Sequence, residues 1–594
     1  DSVRDLIPIG REPEGIAVDS DAVWVTNGGD GSLVRLNPST GETAQTLALD
    51  NPPHGVALTP DGVYVAVRST GIEHRGGTLE ALLGTGPQSL DPAIEGFGLI
   101  PVLTLTNDGL VGFRRVGGVE GSQLVPNLAV ALPAPTDGGR TYTFQVRPGI
   151  RYSNGDIVEP EDFKRAIERL FVIESDAGGE GYYQGIVGAN RCTTGKPCDL
   201  SGGITVDRTA GTITFHLTEP DADFLAKLAM PFAVAVPRGA PARKRATRPL
   251  PATGPYRIAG LNRKSKTIRL VRNSAFREWS ADAQPDGYPD SITLSWRFGY
   301  DISAAVRAAE RGGVDVVSTY GPPPSKETLD ELAVRAPGQL RLSPTLGTEG
   351  YFLNTRVAPF DDTRARRAVN IAFDRETFVR TLGRAFAPTC HILPPNLPGY
   401  RPTCPYGSGG AQHLDAARRL VRSSGTRGAV VTVAVPRPIA HQAQYIASVL
   451  DSLGYRARVR PISPDAYFTE ISDSRTQTQA GYSGWIASYP SAADFLPPLF
   501  SCAAFVPASP GANTNLSGFC DPSVDAKMSA ATDAQAQDPA AATTLWQQAE
   551  RAILAQAPFV PAYNRSDVNV VSKRVGNFQY NPQWGVLLSQ LWVR

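Results

Sequence analysis

Residues 351–375 read YFLNTRVAPFDDTRARRAVNIAFDR, and the helix they encode sets the texture of most of the chain. Asp361-Asp362-Thr363 is a start signal, since short polar side chains cap the free N–H groups of a first helical turn. Ala365, Ala368, Val369, Ala372 and Phe373 then recur at helical spacing, which predicts one apolar face with the arginines on the other. A second stretch of the same kind lies upstream. Asp156-Ile157-Val158-Glu159-Pro160-Glu161-Asp162-Phe163 reads as a strand end and turn, with Pro160 near the first turn of a helix carrying Phe163, Ile167 and Leu170. From about residue 76 onward the chain is an α/β mixture.

Working outward, the 594 residues amount to about four domain-sized units at roughly 150 residues each. Charge is nearly balanced, 58 basic against 57 acidic residues, so the basic excess that grips phosphate backbones or anionic lipid is missing and nucleic acid is not an expected partner. Only 9 of the 58 basic residues are Lys. No run of 18 or more apolar residues occurs. Arg243-Lys244-Arg245, inside a Pro-rich stretch, reads as a solvated loop. The chain starts at Asp1 without a basic-then-apolar leader, which fits either a removed targeting segment or a longer parent chain.

The six cysteines fall as three local couples, Cys192 with Cys198, Cys390 with Cys404, and Cys502 with Cys520. Six cysteines allow 15 connectivities, but each couple closes a loop rich in Gly, Pro, Ser or Thr and none is left over. The rival reading is metal ligation. It lacks any C-x-x-C and any His at zinc-finger spacing, so three disulfides and an oxidising, extracytoplasmic location are expected, with no metal and no cofactor.

The first seventy residues differ from the rest. Gly15-Ile16-Ala17-Val18 with Asp21-Ala22-Val23-Trp24-Val25-Thr26-Asn27 returns 40 residues later as Gly55-Val56-Ala57-Leu58 with Asp61-Gly62-Val63-Tyr64-Val65-Ala66-Val67. Alternating apolar residues and Asp-Gly or Asn-Gly turns are strand and hairpin signals, and a period near 40 is that of a four-stranded propeller blade. Trp24-Val25-Thr26-Asn27 resembles the core of the YVTN family of bacterial propeller repeats. About one and a half repeats are present, too few to close a ring. Residues 1–72 are expected to form an incomplete propeller-like β segment.

Catalytic constellations do not assemble. Gly481-Tyr482-Ser483-Gly484 misses the nucleophile-elbow spacing by one residue, and no Walker A loop, H-E-x-x-H or strand-borne G-x-G-x-x-G occurs. The histidines (His54, His74, His216, His391, His413, His441) include no i, i+4 pair, and His391 reads as a packed loop residue. An enzyme is not expected.

From Gly76 to Arg594 a succession of motifs appears: Gly76-Gly77-Thr78-Leu79, Ser89-Leu90-Asp91-Pro92, Asp108-Gly109-Leu110-Val111, Tyr142-Thr143-Phe144, and Arg147 through Gly155. Thr253-Gly254-Pro255-Tyr256, Tyr351 through Thr355, Ala358 through Asp362 and Ala372-Phe373-Asp374-Arg375 complete it. In order and spacing this resembles the family 5 extracellular solute-binding proteins, the peptide and oligopeptide receptors of ABC importers. The resemblance implies an α/β, two-lobed fold of the periplasmic-binding-protein type II kind with an extra subdomain. Lobe I would take residues 76–107, 223–346 and 563–594, the extra subdomain 108–222, and lobe II 347–562. It implies a monomer that captures a peptide or small-molecule ligand and hands it to an importer permease. Membrane attachment would come only through an anchor absent from this chain.

The family's ligand segments carry over residue by residue. Ile94-Glu95-Gly96-Phe97 matches the first-lobe stretch whose main chain pairs with an extended peptide. Tyr351 and Asn354 match the start of the second lobe at the cleft, and Gly484-Trp485-Ile486-Ala487 the strand facing the ligand from the other side. Ser488 and Tyr489 end that motif. There the sequence departs from the family: oligopeptide receptors read W-x-A-D-Y, with the Asp on the peptide's α-ammonium, whereas here Ser488 is neutral. A buried ammonium without a carboxylate partner is costly. The departure speaks against ordinary free-amine peptides and leaves Asp494 as the neighbouring acid able to take the role. Two functions besides catalysis are weighed, import of a peptide-like or other small polar solute, and a ligand-sensing ectodomain of a larger membrane-anchored regulator. Import is the reading taken.

Overall fold

The computed structural model describes residues 7–593 apart from 11–12, 29–30, 50–52, 68–73, 88, 96, 175–177, 241–248, 298–301, 319–322, 408–412 and 536–537. Arg243-Lys244-Arg245 and Gly96 therefore lie outside the described residues, as does the side chain of Phe97. The chain divides into two compact units, 1–75 and 76–594.

In the first unit, strands Pro13–Val18, Val23–Asn27, Ser32–Leu36 and Thr43–Ala48 form a four-stranded antiparallel sheet in chain order. Pro53–Thr59 and Gly62–Val67 make a further hairpin. The 40-residue repeat is visible in the pairing: Ile16 faces Val25 as Val56 faces Val65, and both hairpins carry an irregularity, before Gly15 and before Gly55. Val25, Val34 and Leu36 make a small core of their own.

The second unit is built on a twelve-stranded mixed sheet. Thr78–Leu83 lies between Ser291–Trp296 and Val316–Ser318, parallel to both. Such strands are buried on two faces and read as apolar runs; Leu79, Ile292 and Val316 have no exposed surface. The other half is centred on Gly347–Leu353, every residue of which is buried, flanked by Ala480–Ile486 and then Val430–Pro436. One strand, Phe559–Val571, serves both halves. Its first part pairs with Gly347–Leu353, its last part with Val316–Ser318 and Leu340–Pro344. Gly350 permits the approach, since a Cβ there would stand 2.1 Å from the Val560 carbonyl oxygen. The chain passes between the halves a second time through Thr345 and Leu346, and Thr345 donates from both N and Oγ1 to the Arg565 carbonyl at 3.0 and 2.9 Å. The two passages are thus stitched side by side.

Residues 108–222 carry a separate three-stranded antiparallel sheet with Thr212–His216 between Thr141–Gln145 and Ile204–Asp207. Helix Glu161–Val172 buries Phe163, Ala166, Ile167 and Leu170, the face read from the sequence. Arg169 of this helix pairs with Asp91 at 2.5 Å, both buried.

Helix Thr363–Ala372 begins with Asp362 as its cap, accepting from the Arg364 N–H at 2.7 Å. Ala365, Ala368 and Val369 are buried as expected, but the arginines do not all face water. Arg366 is 4% exposed because its guanidinium donates to the carbonyls of Phe360 and Gln556, which end neighbouring segments. Disulfides join Cys192 to Cys198, Cys390 to Cys404 and Cys502 to Cys520. His391 is buried beside the second of these, and its Nε2 accepts from the Thr403 N–H. No helix among the described residues is long and apolar enough to cross a membrane.

Candidate functional site

Strand Ala480–Ile486 runs antiparallel to Gly347–Leu353 with Ile486 opposite Gly347, so it ends level with the passage between the two halves of the sheet. The Ala487 N–H donates to the Leu346 carbonyl at 2.9 Å and fixes the continuation. Gly347 lets the strands meet there, because a Cβ would lie 3.1 Å from the Trp485 carbonyl oxygen. A cavity of about 310 Å³ opens at this point. One wall is Ile486, Ala487 and Ser488; the opposite wall comes from Ile100 and from Tyr580, Pro582 and Gln583, with Arg565 and Asp567 of the long strand at the passage itself. Its volume sits at the low end of the ~300–1,000 Å³ usual for small-molecule sites. Gln583 closes one side by donating from Nε2 to the Ser488 carbonyl at 2.7 Å.

Two acids lie just beyond Ser488. Asp494 is 9% exposed and accepts from the Ser488 N–H at 2.5 Å. Burial pushes its carboxyl up to about 7. Asp223, from the other half of the molecule, accepts from Ser491 Oγ at 2.8 Å and from Gln535 Nε2, and burial pushes it up to about 6. Between them Tyr489 is buried against Tyr182, which itself stacks on Phe232. Lys227 is held at 2.6 Å by Asp221. A second cavity, of about 440 Å³, adjoins these acids and is lined by Asp223, Ser491 and Gln535 together with Phe113, Leu225, Pro490 and Trp546.

The residues expected to meet ligand separate into three groups. Ile486, Ala487 and Ser488 come together on one cavity wall. Trp485 instead turns to a narrow apolar crevice with Phe352, Phe495 and Phe559, since alternate strand residues face opposite sides of a sheet. Tyr489 is packed into the core that contains Phe232 and Phe224. Tyr351 lines neither of these two cavities. It is 2% exposed among Phe373, Phe378 and Tyr482, because its strand is covered on both faces. Asn354 does a loop's work, donating to the Thr478 carbonyl and accepting from the Arg356 N–H. Glu95 offers no strand for an extended peptide: its N–H donates to the Asp91 carbonyl and its own carbonyl accepts from Leu99, so the segment closes into a helical turn. Sequence reasoning missed Arg565, Gln583, Asp223 and Gln535. Their signal is spatial, for they stand far apart in the chain and belong to no motif.

A family model described as bacterial extracellular solute-binding proteins, family 5 Middle, matches residues 123–506. The chain belongs to that family. This solute-binding protein is 25% identical over 477 residues to a probable di/tripeptide-binding protein 5 of Pseudomonas aeruginosa, covering 77% of this chain and 85% of that one. It is 26% identical over 491 residues to the probable deoxycholate-binding periplasmic protein YgiS of Escherichia coli, covering 77% and 83%. Among solved structures, the clavulanic acid biosynthesis oligopeptide binding protein 2 shares the fold with a TM-score of 0.76 at 24% identity, over 88% of this chain and 96% of that one. All three are named as binding proteins.

Proposed function

We propose that this solute-binding protein captures a peptide-like or other small polar solute between two lobes, outside the cytoplasm, and delivers it to the permease of an ABC importer, acting as a monomer and not as an enzyme. The observation that carries the reading is the cavity at the paired chain passages, walled by Ile486–Ser488 on one side and by Tyr580 and Gln583 on the other. Two adjacent passages are what a hinge requires, since a few residues can then absorb a rigid-body rotation. The relatives named for di- and tripeptides and for deoxycholate support a small organic ligand without fixing its class.

In this reading lobe I comprises 76–107, 223–346 and 563–594, the extra subdomain 108–222, and lobe II 347–562. The separate sheet through Thr212–His216 supports the subdomain. The repeated hairpin pairing supports residues 1–72 as incomplete propeller-like repeats. The test is native mass spectrometry of the protein purified without denaturation, followed by calorimetry with whatever mass co-purifies. A stoichiometric small molecule, lost on unfolding and rebound on refolding, is the expected result. A protein that neither retains nor binds any solute from a peptide and bile-acid panel would overturn the reading.

A further inference from the structure

Asp223 stands where residues 223–346 of lobe I begin, just before helix Phe224–Leu228, and it is 6% exposed. Its hydrogen-bond donors come from the other lobe. Ser491 Oγ and Gln535 Nε2 both donate to its Oδ1, the first at 2.8 Å. The two donors also meet each other, Gln535 Nε2 to Ser491 Oγ at 3.3 Å, and Trp546 Nε1 donates to Gln535 Oε1 at 2.9 Å. One carboxyl of lobe I thus ties together two segments of lobe II and, through Gln535, a buried tryptophan. Gln583 makes a neighbouring tie to the Ser488 carbonyl, although its buried Oε1 has no partner among the described residues. The surroundings of Asp223 suit a neutral acid. Lys227 on the same helix is held by Asp221, and Asp221 itself and Asp494 of lobe II are like charges. Tyr142 from the subdomain sheet and Tyr489 from lobe II face the carboxyl without a cation. Proline and aromatic side chains line the 440 Å³ cavity beside it. An amide would accept the same hydrogen bonds at no cost of burying a charge, so what the carboxyl adds at this place is the ability to ionise.

We propose that Asp223 is a proton-operated latch between the lobes, closed through Ser491 and Gln535 while the carboxyl is protonated and released when it ionises. The latch rests on the reading of two lobes that close on a solute, and it adds a condition for the closing. Lobes that part carry Ser491 and Gln535 away and open Asp223 to water, where a carboxyl titrates near 4. In the closed arrangement burial pushes it up to about 6. Closing therefore takes up a proton. It is easiest in acid, grows harder as pH rises from about 4 to about 6, and levels off above. The solute is held toward the acid side and let go toward neutrality.

The experiment is double electron–electron resonance between spin labels on Ser265→Cys in lobe I and Ser423→Cys in lobe II, both exposed positions, in the full chain without added solute. All six native cysteines are in disulfides, so the introduced thiols alone take the label. Two label distances are expected, one closed and one open. For a carboxyl that moves from about 4 to about 6, the closed-to-open ratio should fall about 10-fold between about pH 5 and about pH 7.5. Asp223→Asn, which keeps the acceptor and loses the titration, should hold the same ratio at both pH values. Ser491→Ala should shift the ratio toward open at both. An Asp223 that only held the fold would lower the melting temperature in Asp223→Asn and leave the pH response in place. A wild-type ratio that ignores pH, or a response that persists in Asp223→Asn, overturns the latch and leaves solute capture standing. A single distance common to the wild type and both variants overturns the two-lobe reading as well.

Discussion

Two cavities lie on either side of Tyr489 along the chain, one bordered by Ser488 and the other by Pro490 and Ser491, and their charged linings differ. On the Ser488 side the cavity is lined by Arg565 and Asp567, and the Arg565 Nε–H has no hydrogen-bond partner among the described residues. On the Ser491 side it holds Asp223, already accepting from Ser491 and Gln535, amid proline and aromatic walls. The difference shows where acids stand around position 488. A carboxylate is absent from position 488 itself, but Asp494 lies directly behind, spent on the backbone N–H of that residue. Acid has moved from the surface of the cleft into its support. A support acid organises the wall, and the charged residues lining the cavity itself are Arg565 and Asp567.

The largest way to break the comparison is to remove what stands between the cavities. Tyr489 is 4% exposed and packs on Tyr182. Tyr489→Ala should cost about 3–5 kcal/mol of stability, the range for buried aromatics cut back to Ala. Its expected signature is a fall in the denaturant midpoint with solute affinity reduced as well. A change in affinity without loss of stability would show that Tyr489 is a ligand contact and not a partition.

The next effect is on pH. Asp223 and Asp494 have carboxyls raised by burial to about 6 and about 7. The folded molecule therefore holds protons that the unfolded chain, titrating near 4, has released. Stability should accordingly fall as pH rises from about 4 to about 7 and level off above, the reverse of the usual salt-bridged acid. Each unit of upward shift is worth about 1.4 kcal/mol, so the fall across this window should amount to several kcal/mol. Thermal melts across that window check it. Asp494→Asn should flatten the upper part of the slope and Asp223→Asn the lower; a wild-type profile without slope between pH 5 and 7 would refute it.

Much of this was legible in the sequence, and the limits have physical causes. The Ala365–Ala368–Val369 face and the Phe163–Ile167–Leu170 face follow from periodicity, which burial then uses directly. Ile486, Ala487 and Ser488 share one cavity wall because they follow one another where one strand ends. Tyr351 misled because a strand residue's address says nothing of how many layers cover it, and here both faces are covered. Glu95 misled because a turn and a strand can share a sequence, and the Asp91 carbonyl captures its N–H. Arg565 and Gln583 leave no local trace. What marks them is a missing hydrogen bond, and only the assembled structure can display an absence.

A smaller effect sharpens the account of position 488. Restoring the acid, Ser488→Asp, should improve binding of free-amine peptides about 10- to 100-fold, the worth of one charge-assisted hydrogen bond. The structure adds a condition. Asp494 sits immediately behind with its carboxyl already raised, and a second carboxylate beside it would keep one of the pair protonated. The gain should therefore be greater in Ser488→Asp combined with Asp494→Asn than in Ser488→Asp alone. Calorimetry on the two variants with a free-amine tripeptide and its acetylated form measures this. If the wild type already prefers the free amine, Asp494 reaches the ligand after all.

The smallest expected effect concerns the first unit. Residues 1–75 have their own core in Val25, Val34 and Leu36, and their two hairpins repeat one pairing pattern, so their folding is accounted for by local contacts. Every residue lining the two cavities falls between 100 and 585. Affinity depends on groups that touch the solute or position those that do, and none of the residues lining either cavity belongs to the first unit. Removing residues 1–72 should therefore leave solute affinity within a few-fold of the full chain. Calorimetry on the two forms with the same solute decides it: a loss beyond tenfold would make the repeats part of the binding device, and equal affinity would make them a separate module whose work lies elsewhere.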